Sequence, residues 1–208
     1  MALHLRSFYR RLRYGKPVVV VSGLPRSGTS MAMKMLQAGG LPLVLDEVRT
    51  ADEDNPKGYY EFERVKDLAS ESDWSWLANT RGKGIKMISH LLKELPATLN
   101  YKVLFIHRNL REVLASQAKM LERRGEDRET DDQRMMELFE NDLWKVTYLM
   151  THRPQFETLS LHYSEVLADP LEQARQIREF LGVDLDVERM AGVVDLALYR
   201  NRLESGRS

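Results

Sequence analysis

Hydrophobic positions along this chain switch repeatedly between the two spacings that distinguish strands from helices. Val18, Val19, Val20 and Val21 form an unbroken β-branched run after Lys16-Pro17, which predicts a strand over 17–22 buried on both faces of a parallel sheet. Met31, Met35 and Leu36 then recur at helical spacing, predicting a helix over 28–37 that stops at Gly39-Gly40. A second short strand is expected at 41–45. The polar stretch 46–60 follows, with turn signals at Asn55-Pro56 and Lys57-Gly58, and is a candidate substrate loop. The pattern is helical over 61–77. Gly82-Lys83-Gly84 introduces a strand at 85–90 with alternating faces, and Lys-Val-Leu-Phe-Ile-His at 102–107 reads as a further buried strand. Helices are expected at 109–123 and 135–151, with the densely charged residues 125–134 between them as a solvated loop or lid. A last strand at 158–162 and a helix from Pro170 to Leu181, ahead of Gly182, complete the pattern. This alternation predicts an α/β fold, a doubly wound parallel sheet with right-handed crossovers. The chain carries no internal repeat, low-complexity tract or linker, so residues 1–208 are expected to form a single P-loop-type domain, with a basic helix at 1–15 and a charged loop at 124–134.

The 208 residues suffice for one sizeable core. Lys and Arg total 31, as do Asp and Glu, so no general basic field points to nucleic acid and any anion site must be a local cluster. The chain has no cysteine, which removes disulfides, thiolate metal sites and thiol nucleophiles, and its five histidines lack metal-ligand spacing. Arg6, Arg10, Arg11 and Arg13 break up the apolar residues of the N-terminus, so no signal h-region is readable there. No run approaches the roughly 20 apolar residues of a membrane span. These features predict a soluble, cytoplasmic protein, with Leu5, Phe8 and Leu12 packed on the domain or, alternatively, laid on a membrane surface.

The first strand empties into Ser22-Gly23-Leu24-Pro25-Arg26-Ser27-Gly28-Thr29-Ser30. Gly23 and Gly28 keep the spacing of a phosphate-binding loop, but Thr29 stands where a nucleoside triphosphatase or kinase carries lysine. Arg26 is the only cation in the loop. Backbone N–H groups and a helix N-terminus can still cradle an anion there. Arg108, behind the strand at 102–107, and Tyr163, behind the strand at 158–162, also fall at strand ends, where open α/β sheets place ligands.

Three pieces, in this order, resemble the sulfotransferases that use 3′-phosphoadenosine-5′-phosphosulfate (PAPS). Leu24 to Ser30 is similar to the loop holding the 5′-phosphosulfate. Val103-Leu104-Phe105-Ile106-His107-Arg108, with Ser116 eight residues beyond Arg108, is similar to the 3′-phosphate site. Leu161 to Pro170, with Tyr163, is similar to the segment beside the adenine. The whole chain looks most like the compact bacterial sulfotransferase-domain proteins, Asn55 to Glu61 included. The resemblance implies PAPS as co-substrate, its desulfonated product 3′-phosphoadenosine-5′-phosphate, no metal, and a small-molecule or lipid-like acceptor bearing a hydroxyl or amine. Arg26, Ser27, Gly28, Thr29 and Ser30 would then bind the phosphosulfate, Arg108 and Ser116 the 3′-phosphate, and Tyr163 the adenine, unless that tyrosine is simply a rim residue of the core. Arg200 and Arg202 are further candidates for the 3′-phosphate.

Cytosolic members of that family carry Lys-Thr-His on the strand before the 3′-phosphate strand, whereas this chain has Lys86-Met87-Ile88. Lys86 can keep the family lysine's role, stabilising charge on the bridging oxygen, or be a helix-capping or salt-bridged lysine. His90 shares a strand face with Lys86 and Ile88 but lies one pleat away. Other sulfotransferases use a carboxylate from the region after the second strand, here Asp46, Glu47 and Glu61; Glu61 is the first candidate for the general base and Asp46 the second, while Glu61 fits a helix cap equally well. Tyr59, Tyr60, Trp74 and Trp76 line an acceptor pocket or belong to the core. Two other readings stay open: a P-loop kinase using ATP and magnesium, and a non-catalytic nucleotide-binding protein.

Overall fold

The computed structural model describes residues 9–46, 60–70, 73–125 and 130–195. Residues 9–14 are helical, and the chain then runs through β1 (Val18–Gly23), α1 (Thr29–Ala38), α2 (Ser75–Ala78), β2 (Gly84–Ile88), β3 (Tyr101–His107), α3 (Leu110–Arg124), α4 (Asp132–His152), β4 (Phe156–His162), α5 (Tyr163–Ala168), α6 (Pro170–Leu181) and α7 (Val187–Gly192). Short 3-10 helices occupy Glu63–Asp67 and Ser89–Glu94. The four strands form one all-parallel sheet in the order β2-β1-β3-β4.

The valine run forms the middle of that sheet because its side chains leave water on both faces. Val19 and Val21 pack with α1, α5, α6 and α7 on one face, alongside Leu104, Ile106 and Leu161. Val18 and Val20 pack on the other with Ile85, Met87, Val103 and Phe105, beneath Trp76, Leu92, and Val146 and Met150 of α4. Helices thus cover both faces, the doubly wound α/β arrangement that the alternating pattern predicts.

Several elements differ from the expectation. Residues 41–45 do not form a strand: a single bridge pairs Leu43 with Gly84. Pro42 has no N–H to extend the ladder, although its carbonyl accepts from Gly84 and Val44 donates to the carbonyl of Gly84. The helix expected at 61–77 is broken into the 3-10 turn at Glu63–Asp67 and the four-residue α2. Asp73 accepts from both the backbone and the hydroxyl of Ser75, starting a fresh helix instead of continuing the first. Strand β2 ends at Ile88, two residues early, because buried Ser89 donates to Asp142 of α4 and the chain coils into a 3-10 helix. His90 is therefore exposed and off the strand, and shares no face with Lys86. Helix α4 begins at Asp132 rather than 135, capped by Asp131. Leu12, expected to pack on the domain, is 72% exposed, and residues 9–14 are tied down instead by Arg10, which lies 3.9 Å from Glu157 of β4. Leu5 and Phe8 lie outside the described residues. Among the described residues, no helix is long and apolar enough to cross a membrane.

Candidate functional site

The strand order places the switch point of the sheet between β1 and β3. The chain leaves β1 for β2 on one side, then returns past β1 to β3 on the other. A crevice opens at the carboxyl ends of such a pair, where Gly23 stands opposite Ile106. The glycine loop and Arg108 leave the sheet at this edge.

The loop owes its shape to close packing. A Cβ on Gly23 would lie 2.6 Å from the carbonyl oxygen of Ile106 and 2.5 Å from Ser27 Oγ. At Gly28, φ is +106°, and a Cβ would meet the Tyr163 ring at 2.5 Å. Arg26 also adopts a left-handed backbone, with φ of 66°, a conformation that non-glycine residues adopt at a cost. The Ser27 N–H donates to the Leu24 carbonyl at 3.1 Å, while its hydroxyl is buried with no hydrogen-bond partner among the described residues. Gly28 caps α1 without a side-chain hydrogen bond, and the first turn, which starts with Thr29 and Ser30, contains no acidic residue. The first turn of this ten-residue helix thus brings no carboxylate of its own to the helix's positive end.

Arg108 ties the loop to α3. Its side chain is 8% exposed; Nε donates to Glu112 Oε2 at 3.1 Å, and Nη1 donates to the carbonyl of Arg26 at 3.1 Å. Its Cζ lies 4.4 Å from the centroid of the Tyr163 ring, the same ring that packs on Gly28. Arg26 reaches back with Nε donating to Ser116 Oγ at 3.1 Å. Arg26, Ser27, Gly28, Arg108, Ser116 and Tyr163 thus come together from the loop, the end of β3, α3 and the first turn of α5. Tyr163 opens a helix rather than ending the strand. Burial raises its phenol pKa, an effect Arg108 partly offsets, so the hydroxyl stays protonated at neutral pH.

On the other side of β1, Lys86 of β2 stands opposite Val21, and its Nζ lies 3.5 Å from Glu61 Oε1. Both side chains are largely buried. Asp46 has a different occupation: its Oδ2 accepts from the backbone N–H of Glu63, and its own N–H donates to the carbonyl of Glu61 at 3.0 Å. The cap of this turn is therefore Asp46, and Glu61 is the carboxylate left beside the lysine. Tyr60 donates its hydroxyl to Gln37 at 2.9 Å and packs against the core, while Trp74 and Trp76 pack with Phe62 in the opposite cluster. Glu47, Tyr59, Arg200 and Arg202 lie outside the described residues. Two features escaped the sequence reading. Glu112 was visible only as an acidic residue four positions after Arg108, the helical spacing of an ion pair. His107 and His162 stack with centroids 5.2 Å apart at the ends of β3 and β4, a pairing that only the strand register creates.

The model of the sulfotransferase domain family matches residues 16–202, and the chain belongs to that family. Among solved structures, a sulfotransferase from Mycobacterium tuberculosis superposes with a TM-score of 0.52 at 16% identity, over 90% of this chain and 76% of the other. A mouse sulfotransferase complexed with PAP superposes with a TM-score of 0.51 at 16% identity, over 86% of this chain and 62% of the other. These likenesses show a shared fold. No curated protein sequence matches the chain.

Proposed function

We propose that this member of the sulfotransferase domain family moves the sulfuryl group of PAPS to a hydroxyl or amine of an acceptor. The observation that carries the reading is the continuous cluster joining the uncapped α1 terminus, Arg26 and Ser27 to Arg108 and Ser116. A donor with phosphates at both ends of one adenosine needs two anion sites within one crevice, and this cluster offers them. The mouse sulfotransferase of similar fold is complexed with PAP, which supports the same ligand class.

The donor supplies a sulfuryl group on a phosphate leaving group. In this reading the loop N–H groups and the hydroxyls of Ser27, Thr29 and Ser30 hold its 5′ end, with Arg26 adding charge. Arg108 and Ser116 read the 3′-phosphate, and Tyr163 packs Gly28 and Arg108 in place beside the adenine. Glu61 takes the proton from the acceptor hydroxyl or amine as its oxygen or nitrogen bonds to sulfur. The bond from sulfur to the bridging oxygen breaks, its electron pair leaves with the 5′-phosphate, and Lys86 stabilises the charge that develops there. Asp46 positions Glu61 through the backbone. The hydroxyls, arginine and helix terminus suit a singly charged sulfonate, and the sequence places no lysine in the loop for a triphosphate.

The test is a calorimetric titration with PAP, AMP and ATP, followed by transfer of labelled sulfate from PAPS to a panel of hydroxyl and amine acceptors. PAP is expected to bind at least tenfold more tightly than AMP. Equal affinities for the three nucleotides would sink the proposal.

A further inference from the structure

The longest helix of the fold, α4, buries only Val146 and Met150 fully and turns an aromatic face outward. Trp144 is 68% exposed, Tyr148 55% and Leu138 43%. The rings are already ordered. Trp144 stacks on Tyr148 with centroids 6.0 Å apart, and Tyr148 stacks on His152 at 3.9 Å. His152 is anchored in turn by its Nδ1, 2.8 Å from the carbonyl of Tyr148. Rings spaced four residues apart lie on one side of a helix, and surface that is ordered in advance loses little entropy when covered. Exposed tryptophan and tyrosine in one patch mark an interaction surface.

Charge along the helix selects the occupant. The N-terminal half carries Asp131, Asp132, Glu137, Glu140 and Asp142 against a single Arg134, whereas the C-terminal half carries Lys145 and Arg153 and no acidic residue. An identical helix laid antiparallel would set each acidic half against a basic half, and it would also oppose the two helix dipoles favourably. One register does more than balance charge. With the two-fold axis passing between Trp144 and Lys145, Trp144 faces Lys145 of the second copy, Asn141 faces Tyr148, and Glu137 faces His152. Each contact then occurs twice, as an isologous interface requires, and the ammonium group of each Lys145 is offered to an indole face.

We propose that the aromatic face of α4 is a homodimer interface, with two copies of the chain packing α4 against α4 in antiparallel orientation. The inference stands apart from the sulfuryl-transfer reading, because its measurement is molecular mass rather than activity or nucleotide binding.

Sedimentation velocity over a range of protein concentrations tests it. The parent is expected to form a species of twice the 24.2 kDa chain mass. Trp144→Glu and Tyr148→Glu should each weaken association by tenfold or more, with circular dichroism unchanged because both side chains are exposed. Glu137→Lys should weaken the dimer and the double variant Glu137→Lys/His152→Glu should restore it, since the Glu137 carboxylate accepts from the imidazole of the second copy in this register and the exchange sets a lysine against a glutamate at the same place. A parent that stays monomeric at every concentration would overturn the proposal, as would a dimer indifferent to both glutamate substitutions. A dimer lost in Glu137→Lys but not restored by the double variant would overturn the register and with it the antiparallel pairing.

Discussion

Replacing Arg108 with alanine separates what this residue does for the fold from what it does for a ligand. The guanidinium lies 3.1 Å from Glu112, a carboxylate only 7% exposed, and its loss takes a close cation from that charge. Breaking a buried pair by deleting one partner costs about 3–5 kcal/mol. The lost charged hydrogen bond to the Arg26 carbonyl, worth about 1.5–3 kcal/mol on its own, shares the same guanidinium and adds less than its full value, so the total comes to about 4–6 kcal/mol. For a chain of this length that lowers Tm by roughly 8–24 °C. Adding Glu112→Gln removes the stranded charge and should recover about 1–3 kcal/mol. Nucleotide recognition should not recover, because neither variant has a cation for the 3′-phosphate: PAP is expected to bind roughly 10- to 150-fold more weakly than to the parent, with AMP weakened by a smaller factor because the contact to the Arg26 carbonyl is lost as well. Urea unfolding and calorimetric titration of both variants read the two effects separately. If the single variant matches the parent in stability, the ion pair contributes nothing to the fold. If both variants still prefer PAP over AMP as the parent does, Arg108 does not read the 3′-phosphate.

Gly28→Ala should destabilise the protein by about 1–3 kcal/mol, because its Cβ would meet the Tyr163 ring at 2.5 Å from a backbone with φ of +106°; adding Tyr163→Ala relieves the clash but not the φ, so thermal unfolding of the double variant should still fall below that of Tyr163→Ala alone. Asp46→Ala removes the acceptor for the Glu63 N–H and should cost about 0.5–2 kcal/mol of stability, read by urea unfolding; it should slow turnover with PAP affinity unchanged, and unaltered turnover would separate Asp46 from the positioning of Glu61. The His107 imidazole is held below its ordinary pKa of 6.5, first by burial and then by neighbouring His162. The unfolded chain thus binds this proton more readily, so stability from His107 is complete above about pH 6.5, declines as pH falls below it and levels off beneath the folded pKa. The Tm difference between parent and His107→Phe, followed from pH 8 to 5, should show that trend, and a flat difference would refute it.

Where burial by itself dictates conformation, the chain's pattern was readable. Four valines in a row have no exposed face to present, so β1 follows directly, and the order of strands and helices behind it fits one parallel sheet. The convergence of the glycine loop, Arg108 and Tyr163 was legible for a similar reason: they follow strand ends, and parallel strands bring their carboxyl ends to one edge. Elements set by distant partners were not. Whether 41–45 pairs as a strand depends on how Pro42 and Leu43 meet Gly84, forty positions away. Strand β2 ends where Ser89 finds Asp142, and the six-residue α7 was passed over because it is held by tertiary contacts, with Met190 packed on Gly39 and Asp186 donating to the Gly39 carbonyl. Which of Asp46 and Glu61 accepts from the Glu63 N–H depends on a backbone direction that no residue pattern encodes.

The left-handed backbone of Arg26 links the two ends of the crevice. A non-glycine residue in that region costs about 1–3 kcal/mol, and glycine, common elsewhere in such loops, would avoid the cost but bring no charge. The carbonyl of Arg26 accepts from Arg108 and its Nε donates to Ser116, and these contacts help hold it in place. Both partners belong to the proposed 3′-phosphate site, whereas Arg26 is the cation of the proposed 5′ site. The loop is therefore not an independent anion cradle, because its strained residue is fixed by groups that an anion at the other end would engage. An anion that draws Arg108 or Ser116 toward itself must alter the restraint on Arg26, and one that displaces the Arg26 side chain must release the hydroxyl of Ser116. Under the proposed function, affinities for the two phosphates of a doubly phosphorylated adenosine should then be coupled rather than additive, and the 3′-phosphate would organise the sulfuryl site as well as add affinity.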